Sequence, residues 1–285
     1  MPIDQLTEAD LPALQGLARA CLDADGGLPL LAEAKMLRYR LLRKQTVAIR
    51  EDGLLLAAGG LDVDGDRAIT SGMVAPHARR RGLGTHLLTW AEDEAGEAAL
   101  TVATESCGPD AERLYARHGL VCTFAESVRR HDLGALPSVG PPVGVTVIPV
   151  SQADPADLFA AYVGSFADRP GFVRPEAAIW LAELDLDPDW RRDLSLLVLR
   201  RGTPVGFINV LGRWVDQVGV VPEWRGRRMA SHLVARTLRA LAVESPEPVW
   251  LCVNVNNPAG DLYRRLGFSD AGTRARFTRP AVRRA

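Results

Sequence analysis

What this chain lacks narrows it first. Its 285 residues hold four cysteines, Cys21, Cys107, Cys122 and Cys252. They lie far apart, with neither a Cys-x-x-Cys spacing nor a histidine pair, so structural disulfides and a zinc centre are not expected and no metal is assigned. Neither sign of charge is in excess: 34 Lys and Arg face 35 Asp and Glu, for a net charge of −1. No overall field therefore recruits nucleic acid or an acidic membrane. No stretch approaches the roughly 20 apolar residues of a membrane span, and no early apolar run resembles a signal peptide, so a cytoplasmic protein is expected. Neither Gly-x-x-x-x-Gly-Lys-Ser/Thr nor Gly-x-Gly-x-x-Gly occurs, which disfavours nucleotide hydrolases and Rossmann oxidoreductases.

What the chain does have is a short pattern, present twice. Val74-Ala75-Pro76-His77-Ala78-Arg79-Arg80-Arg81-Gly82-Leu83-Gly84-Thr85 reads as a strand end, a basic turn and a helix start. Pro76 has no ladder N–H to offer, so it stops the strand. Leu83, Leu87, Leu88 and Ala91 then recur at helical spacing. A helix that opens on glycines and arginines offers free backbone N–H groups, a positive dipole end and cations together, which is a receptor for phosphate oxygens. Val220-Val221-Pro222-Glu223-Trp224-Arg225-Gly226-Arg227-Arg228-Met229-Ala230-Ser231 repeats the pattern, with Pro76 to Pro222 and Arg79 to Arg225 both shifted by 146 residues. A second landmark follows each loop: Leu114-Tyr115 with Gly119-Leu120, and Leu262-Tyr263 with Gly267-Phe268, a shift of 148. Repeats this long are whole domains.

The spacing Arg79-x-x-Gly82-x-Gly84 resembles the pyrophosphate loop of the GCN5-related N-acetyltransferases (GNAT). The resemblance covers nearly the whole chain as two copies in tandem, an organisation similar to that of the mycothiol synthase-like group. It implies an α/β (α+β) fold of two tandem GNAT domains, each a mixed, mostly antiparallel twisted sheet flanked by helices. The expected limits are 1–136 for the first domain, a Pro/Gly-rich linker at 137–144 and 145–285 for the second. Local patterns predict a helix over Leu30 to Arg43, a closing strand over Val128 to Leu133 and a last hairpin within Phe268 to Thr278. Residues 23–30 are expected to face substrate or solvent.

The resemblance also implies a cofactor, acetyl-CoA, and a site in each half. In the first, Val74, Arg79, Arg80, Arg81, Gly82, Leu83, Gly84 and Thr85 would hold it; in the second, Val220, Arg225, Gly226, Arg227, Arg228, Met229, Ala230, Ser231 and Asn256. Acyl transfer from a thioester to an amine needs a neutral nucleophile, a polarised carbonyl and an acid for the leaving thiolate. By the resemblance, the backbone N–H at Val74 or Val220 polarises the carbonyl, and Tyr115 or Tyr263 is the acid. Asp216 is the only carboxylate on the strand before the second loop placed to act as base, whereas Ala68 to Val74 carries none.

The halves depart from the family pattern in opposite ways. The first keeps both loop glycines but lacks the strand carboxylate and the asparagine. The second keeps Asp216, Asn256 and Tyr263 but carries Arg228 where the first loop glycine belongs, with Ala230 in place of the second. Catalysis is therefore assigned to the second half, and weak acetyl-CoA binding or a structural role to the first. The expected reaction is direct transfer of an acetyl group to the primary amine of a small molecule through a ternary complex, by a monomer or homodimer. The sequence leaves open a non-catalytic acyl-CoA-binding or regulatory protein, and an acyltransferase acting on a protein or an aminoacyl-tRNA; the near-neutral charge disfavours tRNA.

Overall fold

The computed structural model describes residues 3–281; Pro2, expected at the start of the first strand, lies outside them. The chain packs into two compact units. Unit 1 takes the residues up to Val128 together with those from Ala271 onward, and unit 2 is Arg129–Asp270. In chain order unit 1 contains β1 (Ile3–Asp4), α1 (Leu11–Asp25), α2 (Ala34–Arg40), β2 (Gln45–Glu51), β3 (Leu54–Asp64), β4 (Arg67–Val74), α3 (Leu83–Ala95), β5 (Ala99–Thr104), α4 (Pro109–Arg117) and the start of β6 (Val121–His131). Unit 2 contains β7 (Thr146–Pro149), α5 (Pro155–Phe166), α6 (Ala177–Leu186), β8 (Leu196–Arg200), β9 (Thr203–Leu211), β10 (Trp214–Val220), α7 (Met229–Glu244), β11 (Val249–Asn254), α8 (Ala259–Arg265) and the start of β12 (Ser269–Arg279). Among the described residues no helix is long and apolar enough to cross a membrane.

In unit 1, β1 to β4 form an antiparallel meander. Its turns use Asp52-Gly53 and Gly65, all at positive φ, the backbone conformation that tight hairpin turns demand. β5 joins β4 in parallel after the α3 crossover. The other edge of β5 is filled by β12, antiparallel from Ala275↔Thr104 to Arg279↔Leu100. Unit 2 repeats the scheme: β7 to β10 are antiparallel, and β11 is parallel to β10 after the α7 crossover. Each unit thus has a mostly antiparallel sheet with one parallel step, as the resemblance implied. In unit 2, Ile208, Val210 and Leu251 pack with Leu233 and Leu238 of α7, while Leu197 and Phe207 pack on the other face with Phe159 and Trp180 of α5 and α6.

Five expectations are corrected. Residues 269–279 form one strand rather than a hairpin, because Ala275 and Phe277 are buried in the unit 1 core beside β5, a distant pairing that no local pattern announces. This strand also breaks the linear division: the last residues pack with unit 1. The closing strand begins at Val121, ahead of the expected Val128. The predicted helix over Leu30 to Arg43 is interrupted at Glu33, whose backbone is extended (φ −80°, ψ 143°) between a 3₁₀ turn and α2. Residues 137–144 do not run free as a spacer. Val139 is buried in the unit 2 core with its carbonyl 2.9 Å from His232 Nδ1, and Arg239 donates to Pro137 O at 3.0 Å.

Candidate active site

In each unit a pair of parallel strands separates directly before the basic loop. β4 and β5 pair from Arg67↔Ala99 to Thr70↔Val102 and no further, although β4 continues to Val74. β10 and β11 pair only at Trp214↔Trp250, although β10 continues to Val220. The ladder also fixes which way the amides at the parting point. Ala75 N–H donates to Leu56 O (2.8 Å) and Val221 N–H to Val205 O (3.1 Å). In an antiparallel ladder the alternation then turns the N–H of Val74 and of Val220 away from the antiparallel neighbour and toward the gap. A strand edge with free amides is the surface onto which an extended amide-bearing chain adds.

The loops are built alike. Arg79 forks onto Asp25 at the end of α1 (Nη1–Oδ1 2.9 Å, Nη2–Oδ2 2.6 Å), and its Nε reaches Val74 O at 3.4 Å. Arg225 forks onto Asp168 just past α5 (Nη1–Oδ2 2.5 Å, Nη2–Oδ1 2.8 Å), with Nε donating to Val220 O at 3.1 Å. Bidentate pairing raises the Arg79 pKa and lowers that of Asp168. These two arginines are committed to carboxylates, so they clamp the loop to the first helix of their unit. Arg81 is likewise paired with Glu51 (2.6 and 3.1 Å), and Arg227 stacks over Trp224 at 4.8 Å. Arg80 and Arg228 remain exposed at the loop surface.

Two loop positions in each unit adopt the left-handed conformation: Arg80 (φ +63°) and Gly82 (φ +83°), then Gly226 (φ +74°) and Arg228 (φ +61°). Residues 80 and 226, like 82 and 228, correspond under the 146-residue shift, so glycine and arginine have exchanged places while the backbone path is kept. A Cβ built at Gly82 meets nothing within 4 Å. The position therefore demands a positive φ, and a side chain there meets no neighbouring protein atom. Arg228→Gly should remove a left-handed cost of about 1 kcal/mol and raise the Tm slightly, while weakening acetyl-CoA binding in unit 2 by loss of an exposed cation. Tighter binding in the variant would show that the arginine does obstruct. Leu83 and Met229 are buried and seat the helices in the cores, and Gly84, Thr85, Ala230 and Ser231 lie in their first turns.

Unit 1 holds a cavity of about 560 Å³, within the span of small-ligand pockets. Val74, Arg79, Arg80, Gly82, Gly84 and Thr85 line it along with Tyr115, whereas Arg81 and Leu83 of the predicted first-half set do not. Tyr115 is buried against Phe277 (ring centroids 4.8 Å), and burial pushes its hydroxyl pKa up. In unit 2, Tyr263 packs edge-on to Phe268 at 5.9 Å, and burial pushes its pKa up to about 12, opposed by the nearby Arg169 guanidinium. Both tyrosines hold their protons at neutral pH, as an acid for a thiolate must. Because the folded pKa of Tyr263 is raised, the stabilisation is complete below about 10 and is lost between about 10 and about 12. The Tm of the wild type should fall across that window, and Tyr263→Phe should flatten the fall. An unaltered alkaline slope in the variant would refute the assignment.

Asp216 lies at a β-bulge: Val215 faces Val210 and Gln217 faces Asn209, so the register shifts at Asp216, which is exposed. A bulge re-aims a side chain where a ladder is being abandoned. β4 has no such bulge against β3. Next to Asp216, Asn209 is fully buried with both amide heteroatoms lacking a hydrogen-bond partner among the described residues, and Gln217 Oε1 lacks one too. The pair lines β9 and β10 on the face of Phe207, opposite α7. Asn256 is exposed in the turn after β11, donating its N–H to Asn254 Oδ1 at 3.0 Å. Asn257 Oδ1 accepts from Ala259 N (2.9 Å) and caps α8.

Sequence reasoning missed Asp25, Asp168 and Arg169. The first two carried a signal, since Ala24-Asp25 and Ala167-Asp168 close the first helix of each copy at a shift of 143 residues. Of residues 23–30, expected to face substrate or solvent, Asp23 and Ala24 are exposed and Asp25 lines the cavity while clamping Arg79, but Gly27 and Leu28 are buried.

The comparisons agree with this doubled construction. The family model described as acetyltransferase (GNAT) family matches residues 15–120 and 161–268. The chain is 30% identical over 298 residues to the mycothiol acetyltransferase of Kytococcus sedentarius, covering 97% of this chain and 96% of that one. It is 30% identical over 284 residues to the mycothiol acetyltransferase of Thermomonospora curvata, covering 93% and 92%. In fold it is similar to a GCN5-related N-acetyltransferase from Sphaerobacter thermophilus (TM-score 0.78, 24% identity, 99% and 96% of the chains). It is also similar to a tandem GNAT protein from the clavulanic acid biosynthesis pathway (TM-score 0.65, 16% identity, 100% and 99%). Two separated pairs of parallel strands, two clamped basic loops and two family matches place this chain in the acetyltransferase (GNAT) family, as an N-acetyltransferase with two copies of the domain in tandem.

Proposed function

We propose that unit 2 transfers the acetyl group of acetyl-CoA directly to the primary amine of a small molecule, and that unit 1 holds the same donor without being the site of turnover. The observation that carries this reading is the parting of β10 from β11 at Trp214, with Asp216 turned outward on the bulge and Val220 N–H aimed into the gap. The pyrophosphate would rest on the amides at the start of α7 with Gly226 and Arg228 beside it, and the pantetheine arm would add along the freed edge of β10. Val220 N–H would then donate to the thioester oxygen as charge develops on it. Asp216, through water, takes a proton from the ammonium form of the acceptor. The amine nitrogen attacks the carbonyl, the C–S bond breaks, and Tyr263 O–H supplies the proton to the departing thiolate; the nitrogen then sheds its remaining extra proton to the Tyr263 oxygen, leaving a neutral amide, a neutral thiol and a restored phenol.

The acceptor would approach from the face opposite α7, where Asn209 and Gln217 offer buried polar groups. The relatives are named for mycothiol, so an acceptor related to mycothiol is the first to try. The test is thiol release from acetyl-CoA across a panel of small amines that includes such an acceptor. Saturable, amine-dependent release supports the reading, and binding of acetyl-CoA with no release for any amine overturns it in favour of a non-catalytic acyl-CoA-binding protein.

A further inference from the structure

The cavity of unit 1 is also lined, near the vertex where β4 and β5 separate, by two charged side chains absent from the predicted site: Arg40, the last residue of α2, and Glu105, which follows β5. They are 7% and 4% exposed and form an ion pair through Arg40 Nη2 and Glu105 Oε1. Arg274 Nε stands 3.5 Å from the other carboxylate oxygen, which has no hydrogen-bond partner among the described residues, and Arg40 Nε has none either. Glu126 lies 3.4 Å from Arg274 and closes the charge cluster.

The place of Arg40 follows from the backbone. A Cβ at Gly60 would lie 2.8 Å from Arg40 O, so the end of α2 presses onto β3 at Gly60, and Gly60 pairs with Ser71, the first β4 residue beyond the parallel pairing. Val102 faces the α3 and α4 side in the core. Glu105, three residues on, emerges on the opposite face, the one from which Arg40 reaches it.

The same face is sealed by main chain. Leu28 N–H donates to Glu105 O and Gly27 N–H to Ala271 O, both at 2.7 Å, while Ser106 Oγ donates to Gly26 O at 2.5 Å. Gly26 and Gly27 sit at φ +69° and +132°, and a Cβ at Gly27 would fall 2.7 Å from Ser106 Cα. These two residues are glycine because the α1–α2 connection crosses the strand ends with no room for a side chain.

We infer that Arg40 is a built-in occupant of unit 1's acceptor position, its guanidinium resting on Glu105 where an acceptor amine would have to stand. Unit 1 can then accept an acyl donor at its loop and strand edge but cannot pass the acyl group on. This rests on the reading that both units bind acetyl-CoA. It is consistent with Glu105 standing between the guanidinium groups of Arg40 and Arg274, and with β4 lacking the bulge and carboxylate that β10 has. A guanidinium already held on a buried carboxylate by the fold has no translational freedom to lose, so an incoming amine would have to displace it at a cost.

The experiment uses the full chain with Ala230→Glu, which sets a carboxylate against the donor pyrophosphate at the start of α7 and confines binding to unit 1. That variant should still bind about one equivalent of acetyl-CoA by calorimetry, show no amine-dependent thiol release, and shield the bound thioester from hydroxylamine. Hydroxylamine attack gives the hydroxamate and free coenzyme A thiol, and its rate on the bound donor should be at least about 10-fold below that on free acetyl-CoA. Adding Arg40→Ala with Glu105→Ala, which removes both charges together, should abolish the shielding; thermal melting checks that this variant is folded.

Three results would overturn the inference: amine turnover by the Ala230→Glu chain at the wild-type rate, an unshielded thioester in that chain, or shielding that survives removal of both side chains. Loss of all acetyl-CoA binding in the Ala230→Glu chain would remove unit 1 as a donor site while leaving the proposal for unit 2 intact. No binding by the wild type would instead dispose of the underlying reading.

Discussion

Tyr263→Phe should lower amine-dependent thiol release by about 10²-fold or more at saturating substrates, with the KM for acetyl-CoA nearly unchanged. The hydroxyl is the only group lost, and the ring that packs on Phe268 stays, so folding should be spared. The expectation rests on the balance of the reaction: the thiolate leaves with a negative charge, and Tyr263 is a protonated donor in the partly buried helix beside the separated strands. Asp216→Asn should cost a comparable factor through the other proton, but with a different signature. Its loss should shrink as the pH rises and more of the acceptor amine is already neutral, whereas the Tyr263→Phe deficit should persist. Tyr115→Phe in unit 1 should leave turnover nearly intact. If Tyr115→Phe and Tyr263→Phe exchange these outcomes, the roles of the units are reversed.

The second large effect concerns the clamp. Asp25→Ala should destabilise unit 1 by about 2 to 3 kcal/mol, because it strands the Arg79 guanidinium, which is only 26% exposed. Acetyl-CoA affinity at unit 1 should fall with it, since Arg79 Nε also holds Val74 O and so sets the strand end from which the loop departs. Asp168→Ala should cost unit 2 less stability, because both partners of that pair are nearly half exposed and water screens them. Denaturant unfolding of the two variants side by side measures the difference. Equal losses would mean that the clamps are surface pairs of equal weight and that burial does not separate them.

These expectations draw on residues that were not equally legible in the sequence. The loops could be read because everything that makes them is local: a proline ends the strand, two positions need positive φ, and an apolar helix follows. Their recurrence under a shift of 146 residues turned a short pattern into a domain assignment. Tyr115 and Tyr263 were legible for the same reason, each sitting at a fixed distance past its loop.

The clamping carboxylates were not, because Asp25 and Asp168 lie 54 and 57 residues before their arginines, and an aspartate after a helix has an ordinary role as a solvated end. The basic run therefore read as free cations for phosphate, when the forks of Arg79 and Arg225 are already filled. Nothing local singles out Glu105, and only the convergence of α2, β5 and β12 gives it Arg40 and Arg274 as neighbours. β12 itself read as a hairpin because its alternation specifies a strand but not a partner; the open edge of β5, which lies far back in the chain, decides that.

The claim on which the rest depends is that the two clamped loops are two acetyl-CoA sites, one in each unit. Calorimetric titration of the intact chain with acetyl-CoA tests it most directly. The account predicts two equivalents, with Gly82→Glu removing one, Ala230→Glu removing the other, and only the second variant losing amine turnover. No binding, or a single equivalent that Gly82→Glu leaves untouched, would contradict it.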